Sequence, residues 1–304
     1  MRKTIVALAL VLAWAGPSSA QNERALPLVL QLPMSTRALG MGNAYVLAQG
    51  DADAIFHYPG LLDTSRGLGL SLSRYGSESS LFAAAAAAEW FRGGVGLALQ
   101  TLSYSAGTFA AGALARGESG LSERGPVTVS EQVATLAYAR SLFGFRIGLA
   151  AKLIEQRLTG DRDVTAAGDL GIARNVGPVV LGIAARNFGR DPDLENVEAE
   201  LPWTVSLGGS TRSVPFGPLD IVAAAGGAWA RDEHREAGGG IEAAYWPVSG
   251  RTLFGRVGVR WVEDSDARPL TLGAGFAGDR IVFDYAFQDF DNGEPLHRLT
   301  VRWR

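Results

Sequence analysis

Three sets of residues in this chain carry functional groups at spacings where chemistry is conceivable. The histidines are His57, His234 and His297. Acyl-transfer chemistry needs a histidine within reach of a serine and an orienting carboxylate. None of the three sits inside an alternating segment beside such a partner, so the sequence nominates no catalytic residue and no enzyme. The pair Asp51-Ala52-Asp53 lacks the remaining ligands of a calcium loop. There is no cysteine, no cluster of His and carboxylates at metal spacing, and hence no metal or cofactor expectation. Gly40-Met41-Gly42 has the look of a dinucleotide turn, but no third glycine and no strand-turn-helix pattern surrounds it.

The remaining chemistry-bearing set is a series of charges placed at every second residue. From about Gly67 to the end, apolar side chains hold one parity and small, polar or charged ones the other. Leu253, Val257, Val259 and Trp261 alternate with Arg256, Gly258 and Arg260; Leu299, Val301 and Trp303 alternate with Arg298, Thr300 and Arg302. Side chains of a strand point to opposite faces with period two, so each segment reads as a strand with one greasy face. On the other face lie Arg146, Lys152, Arg186, Glu242, Arg256, Arg260, Asp284, Arg298 and Arg302. Their mixed signs point to a ladder of ion pairs; the competing use is a solute path.

Parity divides the chain into about fourteen strands, near 67–75, 80–90, 93–105, 128–141, 144–158, 164–175, 177–189, 202–213, 217–231, 236–247, 251–263, 269–277, 280–289 and 295–304. Connections after even-numbered strands are short, as at Phe91-Arg92 and Gly278-Asp279. The long ones, 106–127 and 190–201, follow odd-numbered strands. Outer-membrane barrels segregate loop lengths in this way and have an even strand count. Trp90, Tyr104, Tyr138, Trp203, Trp229, Tyr245, Trp246, Trp261 and Trp303 fall near strand ends, where aromatic girdles lie. The fold expected is all-β, an antiparallel transmembrane barrel of about 14 strands.

Arg2 and Lys3 precede an apolar run to Ala15 and then small residues, which is a signal-peptide pattern with cleavage after Ala20. The expected division is signal peptide 1–20, plug segment 21–66 and barrel 67–304, with the protein exported to the cell outer membrane. The formal charge of −3, with basic residues dispersed, leaves no nucleic-acid footprint.

Residues 33–66 do not alternate. Ala38-Leu39-Gly40-Met41-Gly42-Asn43-Ala44-Tyr45, then Asp51 to Ala54, then Tyr58-Pro59-Gly60 resemble the N-terminal hatch of the FadL-like outer-membrane barrels, most closely the PorV/PorQ branch. Asn43 replaces a glycine of that pattern, and Tyr58-Pro59-Gly60 stands where Asn-Pro-Ala is the rule. The resemblance marks Gly40, Gly42, Asn43, Asp51, Asp53, Pro59 and Gly60 as hatch residues. It implies a secretion-associated barrel whose partners are exported proteins or secretion machinery. The wider family implies passive transport of hydrophobic small molecules.

Overall fold

The computed structural model describes residues 27–303 apart from 49, 76–78, 106–127, 159–160, 195–196, 199, 232–233, 264 and 292. The signal-peptide pattern and the long 106–127 connection lie outside the described residues. Fourteen strands form the wall: β1 (Gly67–Tyr75), β2 (Ser79–Trp90), β3 (Gly93–Ser105), β4 (Thr128–Leu142), β5 (Phe145–Leu158), β6 (Asp161–Val176), β7 (Val179–Gly189), β8 (Thr204–Thr211), β9 (Leu219–Ala230), β10 (Arg235–Val248), β11 (Arg251–Val262), β12 (Ala267–Ala277), β13 (Ile281–Phe290) and β14 (Leu296–Trp303). Each pairs antiparallel with its sequence neighbours, and β1 pairs with β14 from Leu68↔Trp303 to Tyr75↔Leu296. The sheet is therefore a closed barrel with no free edge, the form that satisfies every wall backbone group without water.

The Ala83–Ala88 run in β2, where β-propensity opposes a strand, is nonetheless strand. Ala83, Ala85 and Ala87 turn inward and are buried, so small side chains there make room for what fills the lumen. Two short elements go beyond the expected pattern. Val214–Phe216 folds back on β9, and Asp193–Leu194 pairs with Val197–Glu198. Tyr104 also departs from the girdle expected for it: it is 5 % exposed and faces inward. Apolar side chains cover the outer face, with Leu97, Leu149, Leu153, Val259 and Leu299 each about 60 % exposed.

Register breaks mark three places, one of them near the β10–β11 turn between Tyr245 and Val248. In β7, Leu170↔Ala185 is followed by Gly168↔Phe188, so one extra residue bulges out near Asn187, whose φ is +62°. Asparagine tolerates that left-handed backbone better than most residues. In β12 the pairing jumps between Ala267 and Thr271, across Pro269, which has no N–H for the ladder.

Residues 27–66 run inside the barrel. They form a 3-10 turn at Leu28–Leu30, a helix α1 at Thr36–Leu39 capped by the Ser35 hydroxyl, and 3-10 turns at Ala52–Phe56 and Pro59–Asp63, the last with proline in its first turn. Leu28, Leu39, Met41, Leu47, Ile55, Leu61 and Leu62 are fully buried. The core of the molecule is this apolar segment against the inner wall.

Candidate functional site

The hatch motif meets the wall backbone to backbone. A Cβ on Gly238 would lie 1.8 Å from the Gly42 carbonyl oxygen, one on Gly258 2.1 Å from the Gly42 nitrogen, and one on Gly240 2.6 Å from the Met41 Cα. Gly42 itself has φ +70° and donates its N–H to Thr271 Oγ1 at 2.9 Å. Asn43 follows at φ +60° and sends its side-chain amide to Glu236 Oε1 at 2.6 Å. This explains an asparagine where the related motif has glycine: it accepts the left-handed backbone and adds an anchor. At the other end, a Cβ on Gly60 would fall 2.7 Å from the Arg146 carbonyl and 2.8 Å from that of Gly171. Glycine is required there and alanine would not fit. Pro59 presses on Gly148 and Gly171 in the same contact.

Charged residues join plug and wall in a closed ring. Arg37 of α1 donates to Glu242 at 2.6 and 2.9 Å. Arg256 donates Nε to Glu242 and Nη1 to Asp284, each at 2.6 Å. Arg302 donates to Asp284 at 2.5 Å and pairs with Asp51, whose carboxylate lies 3.9 Å from Arg37. Three arginines and three carboxylates thus alternate, two members from the plug and four from β10, β11, β13 and β14. The side chains of Arg256 and Asp284 are 1 % exposed. Buried ions lose several kcal/mol each in desolvation unless their partners are well placed, and here every member has two opposite neighbours. Asp51 stands at the start of a 3-10 turn without capping it; its carboxylate serves the ring. Asp53 accepts from the Tyr45 hydroxyl at 2.8 Å. Burial, then the neighbouring Asp51, pushes its carboxyl above the ordinary range.

The other inward charges form separate groups. Arg260 donates to Glu236 at 2.8 Å and to Gln288 at 3.0 Å. Lys152 contacts Asp169 at 2.8 Å and Asn187 Oδ1 at 2.6 Å, so the β7 bulge helps hold a buried ammonium. Arg298 is fully buried and donates to Ser73 and to the Met34 carbonyl. Arg186 donates to the Phe56 carbonyl at 2.8 Å. Arg146 lies apart, half-exposed near a short turn, where it donates to Asn175 Oδ1 at 3.4 Å and faces the charge of Asp63.

Sequence reasoning missed Arg37, Glu131, Asp169 and Glu236. The last three share the inward parity of their strands and were legible by extending the count. Glu131 accepts the Val29 N–H at 2.8 Å and so fastens the start of the plug. Arg37 carries no periodic signal, since the plug has none. Among the described residues no group of three or more His, Asp or Glu is placed to hold a metal ion.

Above the plug, toward the strand ends that carry the long connections, lies a cavity of about 100 Å³. Leu30, Leu32, Met34 and Phe56 form its apolar floor; Lys152, Arg186, Arg235, Arg260 and Glu236 line its walls. His57 faces it from below, its ring stacked 5.0 Å from that of Tyr45. Burial, then the charges of Arg186, Arg298 and Lys152, holds the His57 imidazole well below its ordinary range, so it is neutral.

Solved structures that share this architecture include a toluene transporter and a monoaromatic hydrocarbon channel. The Pseudomonas putida toluene transporter TodX superposes with a TM-score of 0.56 at 12 % identity, covering 87 % of this chain and 95 % of its own. A Pseudomonas aeruginosa FadL homologue gives 0.56 at 9 % identity, covering 89 % and 98 %. The monoaromatic hydrocarbon channel CymD gives 0.56 at 10 %, covering 89 % and 96 %. This chain shares their fold. No protein-family model and no curated protein matches the sequence.

Proposed function

We propose that this protein is a passive transporter of small molecules in the cell outer membrane, a FadL-like barrel whose lumen is closed by residues 27–66. The observation that carries this reading is the ring of six charges. It joins the plug to four strands through Arg37 and Asp51 alone, a fastening that can open without dismantling the wall. The cavity above the plug supplies an entry site, and the fold shared with TodX, the FadL homologue and CymD supports transport and an outer-membrane location. The secretion-associated reading rests on the hatch motif alone, because no feature of the described loops singles out an exported protein as partner.

Transport is tested by reconstituting the purified full chain and a variant lacking residues 35–60 in liposomes and following solute-driven swelling. The full chain should pass small solutes slowly and the shortened one several-fold faster. Equal and negligible rates for both, with the barrel folded, would dismiss the transporter reading.

A further inference from the structure

The cavity above the plug is not built for a hydrocarbon. Four polar atoms at its lining are buried and make no hydrogen bond among the described residues: His57 Nε2, Gln31 Nε2, Arg186 Nε and Asn43 Oδ1. A buried polar group left unpaired costs about 1–3 kcal/mol, and His57 is 9 % exposed, so water reaches it poorly. Two of the four, Gln31 Nε2 and Arg186 Nε, can only donate, and the neutral imidazole of His57 donates from Nε2 in one of its tautomers.

Charge agrees with this donor excess. Lys152 is matched by Asp169, Arg260 by Glu236 and Arg235 by Glu263. Arg186 forms no ion pair among the described residues and only shares the field of Glu236, a carboxylate already paired with Arg260; its one hydrogen bond there is to the Phe56 carbonyl. It is therefore the positive charge left over at the cavity, and its unused Nε–H is in the same place. On the scale where one water needs roughly 10–15 Å³, a cavity of about 100 Å³ holds a solute of roughly eight heavy atoms. Its floor of Leu30, Leu32, Met34 and Phe56 suits a small apolar body.

We infer that this cavity binds a small organic anion, its carboxylate received by Arg186 and the donors of His57 and Gln31 and its apolar body resting on the plug. This names a solute class for the transport reading above and rests on it.

Benzoate and toluene differ by a carboxylate in place of a methyl, and they separate the charge from the ring. Calorimetric titration of the full chain in detergent should find benzoate binding at least tenfold more tightly than toluene, and at least tenfold more tightly than inorganic phosphate. Arg186→Gln should remove the preference for benzoate and leave toluene unchanged. Because Arg186 also touches the plug, Ala228→Phe provides a second variant. Ala228 lines the cavity without contributing a polar group, and the larger ring should abolish benzoate binding by filling the space. Toluene binding as tightly as benzoate, phosphate alone matching benzoate, or benzoate affinity unchanged in both variants would each overturn the inference. Liposome flux fails independently of it: benzoate binding without solute flux removes the transport reading and leaves the site. Flux without benzoate binding removes the site and leaves transport.

Discussion

Arg256 is the member of the charge ring whose loss the structure tolerates least. It lies between Glu242 and Asp284 at 2.6 Å from each, in a place its side chain shares with almost no solvent. Replacing it with methionine leaves three carboxylates facing two arginines, and removing one partner from a buried ionic group costs about 3–5 kcal/mol. Arg256→Met should therefore lower the temperature at which the folded barrel converts to its unfolded band in detergent by many degrees. Arg268→Met, which removes an exposed pair with Asp289 and Asp291, should change it little, since exposed pairs contribute about 0–1 kcal/mol. His57 belongs to the same scale. Its imidazole is held below its ordinary range while the plug is docked, so a displaced plug binds a proton more readily. Docking is then fully present above about pH 6.5, the ordinary histidine value, and weakens as pH falls from there. Asp53, raised in the docked state, acts with the opposite sign but in the lower carboxylate range. Protease protection of the plug should fall between pH 7.5 and 5.5, and His57→Gln should flatten that dependence. A dependence unchanged by the substitution would assign it elsewhere.

At the scale of elements, the strands were legible from parity and the plug contacts were not. Gly93–Ser105 runs over the residues that alternation alone marks out, because every second side chain on that strand meets either lipid-like exposure or the packed lumen. Glycines in a barrel wall can serve to bend it or to let a plug approach closely, and the sequence does not tell which does which. Gly238, Gly240 and Gly258 make room for Met41 and Gly42, a pairing of segments some two hundred residues apart that no local pattern records. Asn187 escaped for the related reason that a bulge interrupts the alternation by which positions are counted. The face assignment has a direct test on β11 and β9. Val259 is 59 % exposed on the outer face, where a charge near the bilayer midplane costs about 2–4 kcal/mol. Ala228 lines the cavity on the lumen face, where substitutions tune selectivity and do not meet lipid. Val259→Arg should sharply reduce the folded, heat-modifiable fraction recovered from membranes, and Ala228→Arg should not. Arg260→Val would be a poor control for this comparison, because it would strip Glu236 of its guanidinium.

The whole molecule is a closed wall and a lumen segment, and the charge ring fixes how the two depend on each other. Arg37 and Asp51 are one positive and one negative charge, so removing the plug takes both and leaves Glu242, Arg256, Asp284 and Arg302 as a balanced set. The hydrogen bonds of the wall itself, from Leu68↔Trp303 at the seam to Thr204↔Ala230 between β8 and β9, contain no plug residue. Val29 and Met34, which bond Glu131 and Arg298, lie outside residues 35–60 and stay in the chain, and the emptied lumen offers water to any wall group that loses a partner. The barrel should therefore fold without residues 35–60. Its unfolding temperature in detergent should fall less than that of Arg256→Met, even though a whole apolar segment has gone and the point variant changes one side chain. The reverse order, with the shortened chain failing to assemble while Arg256→Met folds normally, would mean that the wall depends on the plug as its core and that the segment is no gate.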